Sequence, residues 1–234
     1  MSGTPLGECP PAPDSSHVLT LAYASAMASV YRHATGDPGA QDLPVAAAAY
    51  NAATGTYYWG FAQDREMGDP DAHAERQVLR RALADSDYLG NLTIGVTVEP
   101  CPSCLDYLAA VNVSSVVFGA GRQALEDRRL LRHHPDKVFD LVTGGQMAGK
   151  SYPQITQTPD AALRRACESA FDGFDRDFDT GTRSYQPPKR GQPRGIAFRH
   201  LTSPELLARQ DGQAVVAALA RAAQALQARF GGSE

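Results

Sequence analysis

Two short stretches carry side chains that could do chemistry together: "DPDAHAER", Asp69 to Arg76, and "VEPCPSC", Val98 to Cys104. The second places Cys101 and Cys104 three apart, around Pro102, at the end of a β-branched run that reads as a buried strand. Pro102 stands where a helix has its first residue, so Cys101 falls near the N-cap and Cys104 on the first turn. Unpaired N–H groups and the positive end of the helix dipole there favour thiolate over thiol. Thiolate is the species that binds zinc, at about 2.3 Å. His73, 28 residues before Cys101, supplies a third ligand. Successive helical residues turn by about 100°, so His73 and Glu75 share one site only if the metal lies off the N-terminus of the "AHAERQVL" helix. Three protein ligands leave the fourth tetrahedral place to water, the arrangement of a catalytic zinc. Glu75, close to that water but not a ligand, can take its proton and deliver it elsewhere.

Neither motif suffices alone. H-x-E occurs by chance in many helices, and a lone C-x-x-C is equally a redox or structural element. A thioredoxin-type site would lack the upstream histidine, and a four-ligand structural zinc would need another Cys or His nearby, whereas Cys9 and Cys167 lie far off in sequence. The combination, at strand–helix junctions, predicts catalytic zinc held by His73, Cys101 and Cys104.

The elements that must position these residues follow from periodicity. Leu19, Tyr23, Met27 and Val30 mark an amphipathic helix over 17–33. "PVAAAAY" and "TYYWGF" flank the turn cluster "NAATG" and predict a β-hairpin. Then come a helix at "AHAERQVLRRALAD", a strand at "LTIGVTVE", a helix at "PSCLDYLAAVN", a strand at "SSVVFGA" and a helix at "ALEDRRLLRHH". "KVFDLV" predicts a further strand, "QITQ" another, and 159–171 a helix. Strands alternating with helices give an α/β fold, a three-layer α/β/α sandwich around a mixed central sheet of about five strands.

The chain has 234 residues, 43% of them hydrophobic and 21% charged, ordinary globular usage. A net charge of −4 argues against a protein whose main work is gripping a long nucleic acid. There is no run of about 18 apolar residues and no secretory signal pattern, so a cytoplasmic location and no membrane association are expected. The predicted organisation is a flexible N-terminus at 1–15, a zinc domain at 16–174, and an extension at 175–234 made of an aperiodic basic loop and an amphipathic helix. That helix carries the seam Val215, Leu219, Ala222 and Leu226, and the loop, with Arg190 and Arg194, is expected either to narrow the pocket mouth or only to connect a tail that strengthens a dimer.

Taken together, "DPDAHAE", "TVEPCPSC" and "VVFGA" resemble the cytidine/deoxycytidylate deaminase superfamily, nearest to its guanine deaminase, cytosine deaminase and tRNA adenosine deaminase branch. "RHHPD" resembles the tRNA enzyme's His-His-Pro after the same helix. The resemblance covers about 17–174 and implies a cytidine deaminase-like fold, Zn²⁺ on His73, Cys101 and Cys104, and Glu75 as catalytic proton shuttle. It also implies backbone contacts to substrate from Ala74 and near Pro100. The implied chemistry is hydrolytic: water adds to the amine-bearing carbon of an aromatic ring, Glu75 protonates the adjacent nitrogen, and ammonia leaves. Several relatives hold the base with an Asn after the second hairpin strand. Here that place falls at Ala62, beside Gln63, with Phe61 before it, which makes Gln63 and Phe61 candidate substrate contacts. The implied substrate is a nucleobase, nucleoside or related amino-heterocycle. The alternatives are a base within tRNA or single-stranded nucleic acid, and a non-catalytic binding module that keeps the zinc fold. A homodimer is expected, paired through Leu105, Leu108 and Val111 on the "CLDYLAAV" helix.

Overall fold

The computed structural model describes residues 15–34, 36–85, 92–131, 152–176 and 183–186. Its helices are α1 (Ser15–Ala34), α2 (Ala74–Asp85), α3 (Pro102–Ala110), α4 (Arg122–Asp127) and α5 (Ala161–Ser169). Its strands are β1 (Ala46–Asn51), β2 (Thr56–Phe61), β3 (Leu92–Val98), β4 (Ser115–Ala120), β5 (Gln154–Gln157), β6 (Phe174–Arg176) and β7 (Arg183–Tyr185).

The first five strands form one mixed sheet in the order β2-β1-β3-β4-β5. β1 runs antiparallel to both β2 and β3, whereas β3, β4 and β5 are mutually parallel. The hairpin turn carries Gly55 at φ 72°, the left-handed conformation that glycine adopts without a Cβ penalty. Alternation along β1 separates two cores: Ala46, Ala48 and Tyr50 face α1 and α5, while Ala47 and Ala49 face α2 and α3. The three-layer sandwich expected from the sequence is therefore the architecture of the described residues.

Alanines on β1 keep the sheet thin, and Gly95 on β3 brings α1 closer still. A Cβ on Gly95 would lie 2.5 Å from Leu19 N and 2.6 Å from Leu19 Cα, inside the helix backbone. At that separation every side chain from Val18 to Met27 is buried, Thr20 and Ser25 included. Hence α1 is not the one-sided amphipathic helix its periodic seam suggested; small residues on its remaining faces let it sink between neighbours. The Ser25 hydroxyl donates to Leu21 O at 3.0 Å, which satisfies its burial.

Two further expectations are corrected. Leu105 and Leu108 on α3 are buried at 1% and 0% exposure in the chain's own core, with Val111 packed against the same cluster, so that seam faces the sheet and not a second subunit. Helix α4 ends at Asp127, because Arg129 takes φ 57° and the Leu130 N–H turns back to Leu125 O. The strand expected at 137–142, the "RHHPD" segment, residues 1–14, the loop from 187 to 200 and the C-terminal helix lie outside the described residues. Within the aperiodic stretch past Phe174, β6 and β7 pair antiparallel and pack on the domain through Phe174 and Tyr185, whose rings stand 4.7 Å apart.

Candidate metal centre and pocket

The chain passes through its site at the carboxyl ends of β3 and β4, next to the place where the sheet changes from antiparallel to parallel. Crevices form there in open α/β sheets because consecutive connections leave in opposite directions. Cys101 is the N-cap of α3, with φ −74° and ψ 160°, and Pro102 follows at the first helical position. His73 immediately precedes α2, its carbonyl accepting the first intrahelical bond from Gln77 N at 3.0 Å. Two helix N-termini thus converge, as the spacing requires.

The ligand atoms of His73, Cys101 and Cys104 all lie within 4.8 Å of one another. His73 Nδ1 is 3.6 Å from Cys101 Sγ and 3.3 Å from Cys104 Sγ. A tetrahedral zinc with ordinary Zn–N and Zn–S bonds would hold N and S about 3.6 Å apart. The donor set therefore fits zinc in both chemistry and spacing. Without a metal, the Cys101 thiol is pulled down to about 3, chiefly by the hydrogen bond from Cys104 and against the cost of burial, with His73 adding to the pull. Cys104 is pushed the other way by that same bond and by burial.

Glu75 sits on the first turn of α2 at 3% exposure, and its Oε2 has no hydrogen-bond partner. Burial first, and the Cys101 thiolate second, raise its carboxyl from 4.5 to about 7. An orphaned buried carboxylate oxygen costs free energy that a structural role would not leave unspent. Arg76, next along α2, ties the two motif helices together: it pairs with Asp71, donates to Ser103 O at 3.3 Å and stacks 5.2 Å from the Tyr107 ring.

A pocket of about 260 Å³ opens beside these groups. Its apolar wall includes Leu43, Val45, Ala62, Val98 and Leu131, and His73, Ala74, Glu75 and Cys101 line its metal end. Asp64, Arg122, Arg176 and Arg183 complete the lining. Of the sequence candidates for substrate contact, Ala74 lines the pocket, whereas Pro100, Gln63 and Phe61 are absent from the lining. Gln63 instead turns its amide to Glu66 (3.3 Å), and Phe61 packs against the core under the Arg32 guanidinium at 5.6 Å. Strand alternation explains the pair: Phe61 and Gln63 lie on the faces that bracket Ala62, and Ala62 has the inward one.

Sequence reasoning did not single out Asp42, Asp64, Arg122 or Arg176, and it placed Arg183 only among the cations of an aperiodic basic loop. Asp42, 1% exposed, accepts from the N–H groups of Arg65 and Glu66 at 3.2 Å and from Arg183 Nη1 at 2.6 Å. Arg183 Nη2 also stands 3.6 Å from Asp64 Oδ2. Burial, then the hydrogen bond to Asp64, raises the Asp42 carboxyl to about 6. Against burial, its bonds to Asp42 and the Arg183 charge hold Asp64 below the usual carboxylate value. Three segments distant in sequence are locked by this cluster. No local pattern announces it: each residue is a single polar side chain in a loop or a three-residue strand.

Residues 21–120 match the family described as the cytidine and deoxycytidylate deaminase zinc-binding region. That stretch is similar to zinc-binding deaminase domains, and the match covers less than half of the chain. Two curated relatives are tRNA(Ile)-lysidine synthases. The one from Deinococcus radiodurans is 39% identical over 82 residues, 34% of this chain and 14% of that one. The one from Deinococcus deserti is 36% identical over 83 residues, 35% and 16%. The match thus spans less than a fifth of either relative. Among solved structures, a guanine deaminase from Nitrosomonas europaea is 21% identical, covering 67% of this chain and 80% of that one at a TM-score of 0.47. A structure from work on A-to-I editing by tRNA:A34 deaminases is 20% identical, covering 61% and 98% at a TM-score of 0.46. Among the described residues, no helix is long and apolar enough to cross a membrane.

Proposed function

We propose that this chain is a zinc-dependent hydrolytic deaminase that releases ammonia from a nucleobase, nucleoside or related amino-heterocycle. The observation that carries the reading is Glu75 Oε2, buried, unpartnered and beside the His73/Cys101/Cys104 group. His73, Cys101 and Cys104 would hold the zinc, which when bound lowers the pKa of water and acts as a Lewis acid. Glu75 takes one proton of the attacking water and passes it to the ring nitrogen beside the amine-bearing carbon, then carries the remaining hydroxyl proton to the departing amine, which leaves as ammonia. A carboxyl raised to about 7 can do both, because neither protonation state is far away at neutral pH. Leu43, Val45, Val98 and Leu131 supply apolar surface for the faces of a flat ring and keep bulk water off the reacting carbon.

The test is ammonia release from cytosine, guanine, adenine and their nucleosides, with Glu75→Ala as control. The variant should keep its metal and lose turnover; an active Glu75→Ala protein overturns the mechanism. The second reading, a base within RNA, is supported by the short stretch shared with the tRNA(Ile)-lysidine synthases. Salt-dependent binding of tRNA would favour it. Glu75 itself argues against the third, a binding module, since a structural zinc needs no proton shuttle. A homodimer rests on the family resemblance, and light scattering that returns a single 25.0 kDa particle would remove it.

A further inference from the structure

A ring whose reacting carbon lies at the metal group must set its remaining edge against the other polar groups of the pocket. Outside the metal group and Glu75, Asp64 is the one carboxylate among the described lining side chains, and the other three polar groups are arginines. Arg122 spends its Nε on Glu126 at 2.8 Å, and Arg176 donates Nη1 to Leu130 O at 3.3 Å. Arg183 is the arginine that lies against Asp64: its side chain is 8% exposed, and its Nη2 stands 3.6 Å from Asp64 Oδ2. The pocket therefore presents the Asp64 carboxylate and the Arg183 guanidinium side by side, each bonded to Asp42 from behind.

That pair complements a ring N–H next to a ring acceptor. Cytosine carries this edge as N1–H beside O2, and the purines carry it as N9–H beside N3. In every nucleoside the same nitrogen bears the sugar and has no proton to give. The cavity size points the same way, since about 260 Å³ lies below the roughly 300–1,000 Å³ of sites for larger ligands. We infer that Asp64, oriented by Arg183 and Asp42, accepts a hydrogen bond from an unsubstituted ring N–H, so that the site takes free bases and rejects their nucleosides. The inference rests on the deaminase reading and names the substrate class within it.

Deamination products keep the recognition edge and do not turn over, so binding can be measured on the intact zinc-loaded protein. Calorimetry should show uracil, hypoxanthine or xanthine binding, with uridine, inosine and xanthosine failing to compete. The methylated ligands 1-methyluracil and 9-methylhypoxanthine remove only the N–H and should bind about 10- to 150-fold more weakly than the parent bases, the range for a hydrogen bond to a charged group. Asp64→Ala, which removes the acceptor, should erase that difference while circular dichroism stays unchanged; if the variant does not fold, the methylated ligands still decide. Nucleosides binding as well as bases, methylation without effect, or no binding by any base would each overturn the inference. Selective base binding without ammonia release from any amino-heterocycle would uphold Asp64 recognition and overturn the proposed reaction instead.

Discussion

Replacing Glu75 by Gln separates a catalytic acid from a structural one, because the two roles move stability in opposite directions. Burial raises the carboxyl from 4.5 to about 7, and at 1.36 kcal/mol per pKa unit this is about 3 kcal/mol. The folded metal-free protein holds the Glu75 proton more tightly than the unfolded chain does. Its stability is therefore lost as pH rises from about 4.5 to about 7. Gln carries no charge at any pH, and it leaves an amide donor without a partner, at about 1–3 kcal/mol. That second cost is independent of pH and cancels when the variant is compared with itself. Between about pH 5 and about pH 8, metal-depleted wild type should thus lose about 3 kcal/mol relative to Glu75→Gln. In melting temperature this is about 6–12 °C for a chain of this size. Loaded with zinc, the same variant should fall about 10²- to 10⁴-fold in turnover. A melting-temperature difference that does not change with pH, or near-normal turnover, would refute the reasoning.

Three other outcomes are expected. Gly95→Ala drives a methyl into the α1 backbone at Leu19 and should cost about 3 kcal/mol or more, seen as a lowered melting temperature; a shift within about 2 °C would mean that the helix can simply lift away. Cys104→Ala should take bound zinc from about one per chain to none by atomic absorption, since two remaining ligands do not hold a closed site. His33 Nε2 donates to Asp42 O at 2.7 Å, and the ring is buried enough that its pKa falls below 6.5. The unfolded chain therefore takes its proton first, and stability drops as pH falls below about 6.5. His33→Gln should flatten that acid limb of the melting curve, and an unchanged limb would assign it to other groups.

What could be foreseen and what could not divides along the range of each signal. The metal set is legible because each ligand sits within a few residues of a strand end or a proline that fixes its helix, and local rules act over that distance. The hairpin and the parallel strands are legible for the same reason, through turn residues and β-branched runs. α1 misled because periodicity records which face is most apolar, while Gly95 and the alanines of β1 decide how deep the helix sinks. The α3 seam misled because three leucine-type positions look alike whether they face a sheet or a second subunit. The Asp42–Asp64–Arg183 cluster was invisible: Arg183 lies 141 residues from Asp42, and a polar contact at that separation leaves no period in either segment.

The pairing of Arg183 with Asp42 also sets an order of events during synthesis. His73, Cys101 and Cys104 have all been added by residue 104, whereas the arginine that completes the outer wall comes roughly 80 residues later, a delay of roughly 4–16 s at ordinary translation rates. Through that interval the thiol-bearing groove has no β7 against it. An ion can thus reach the groove by a wide, wet route during biogenesis, before Arg183 closes against Asp42.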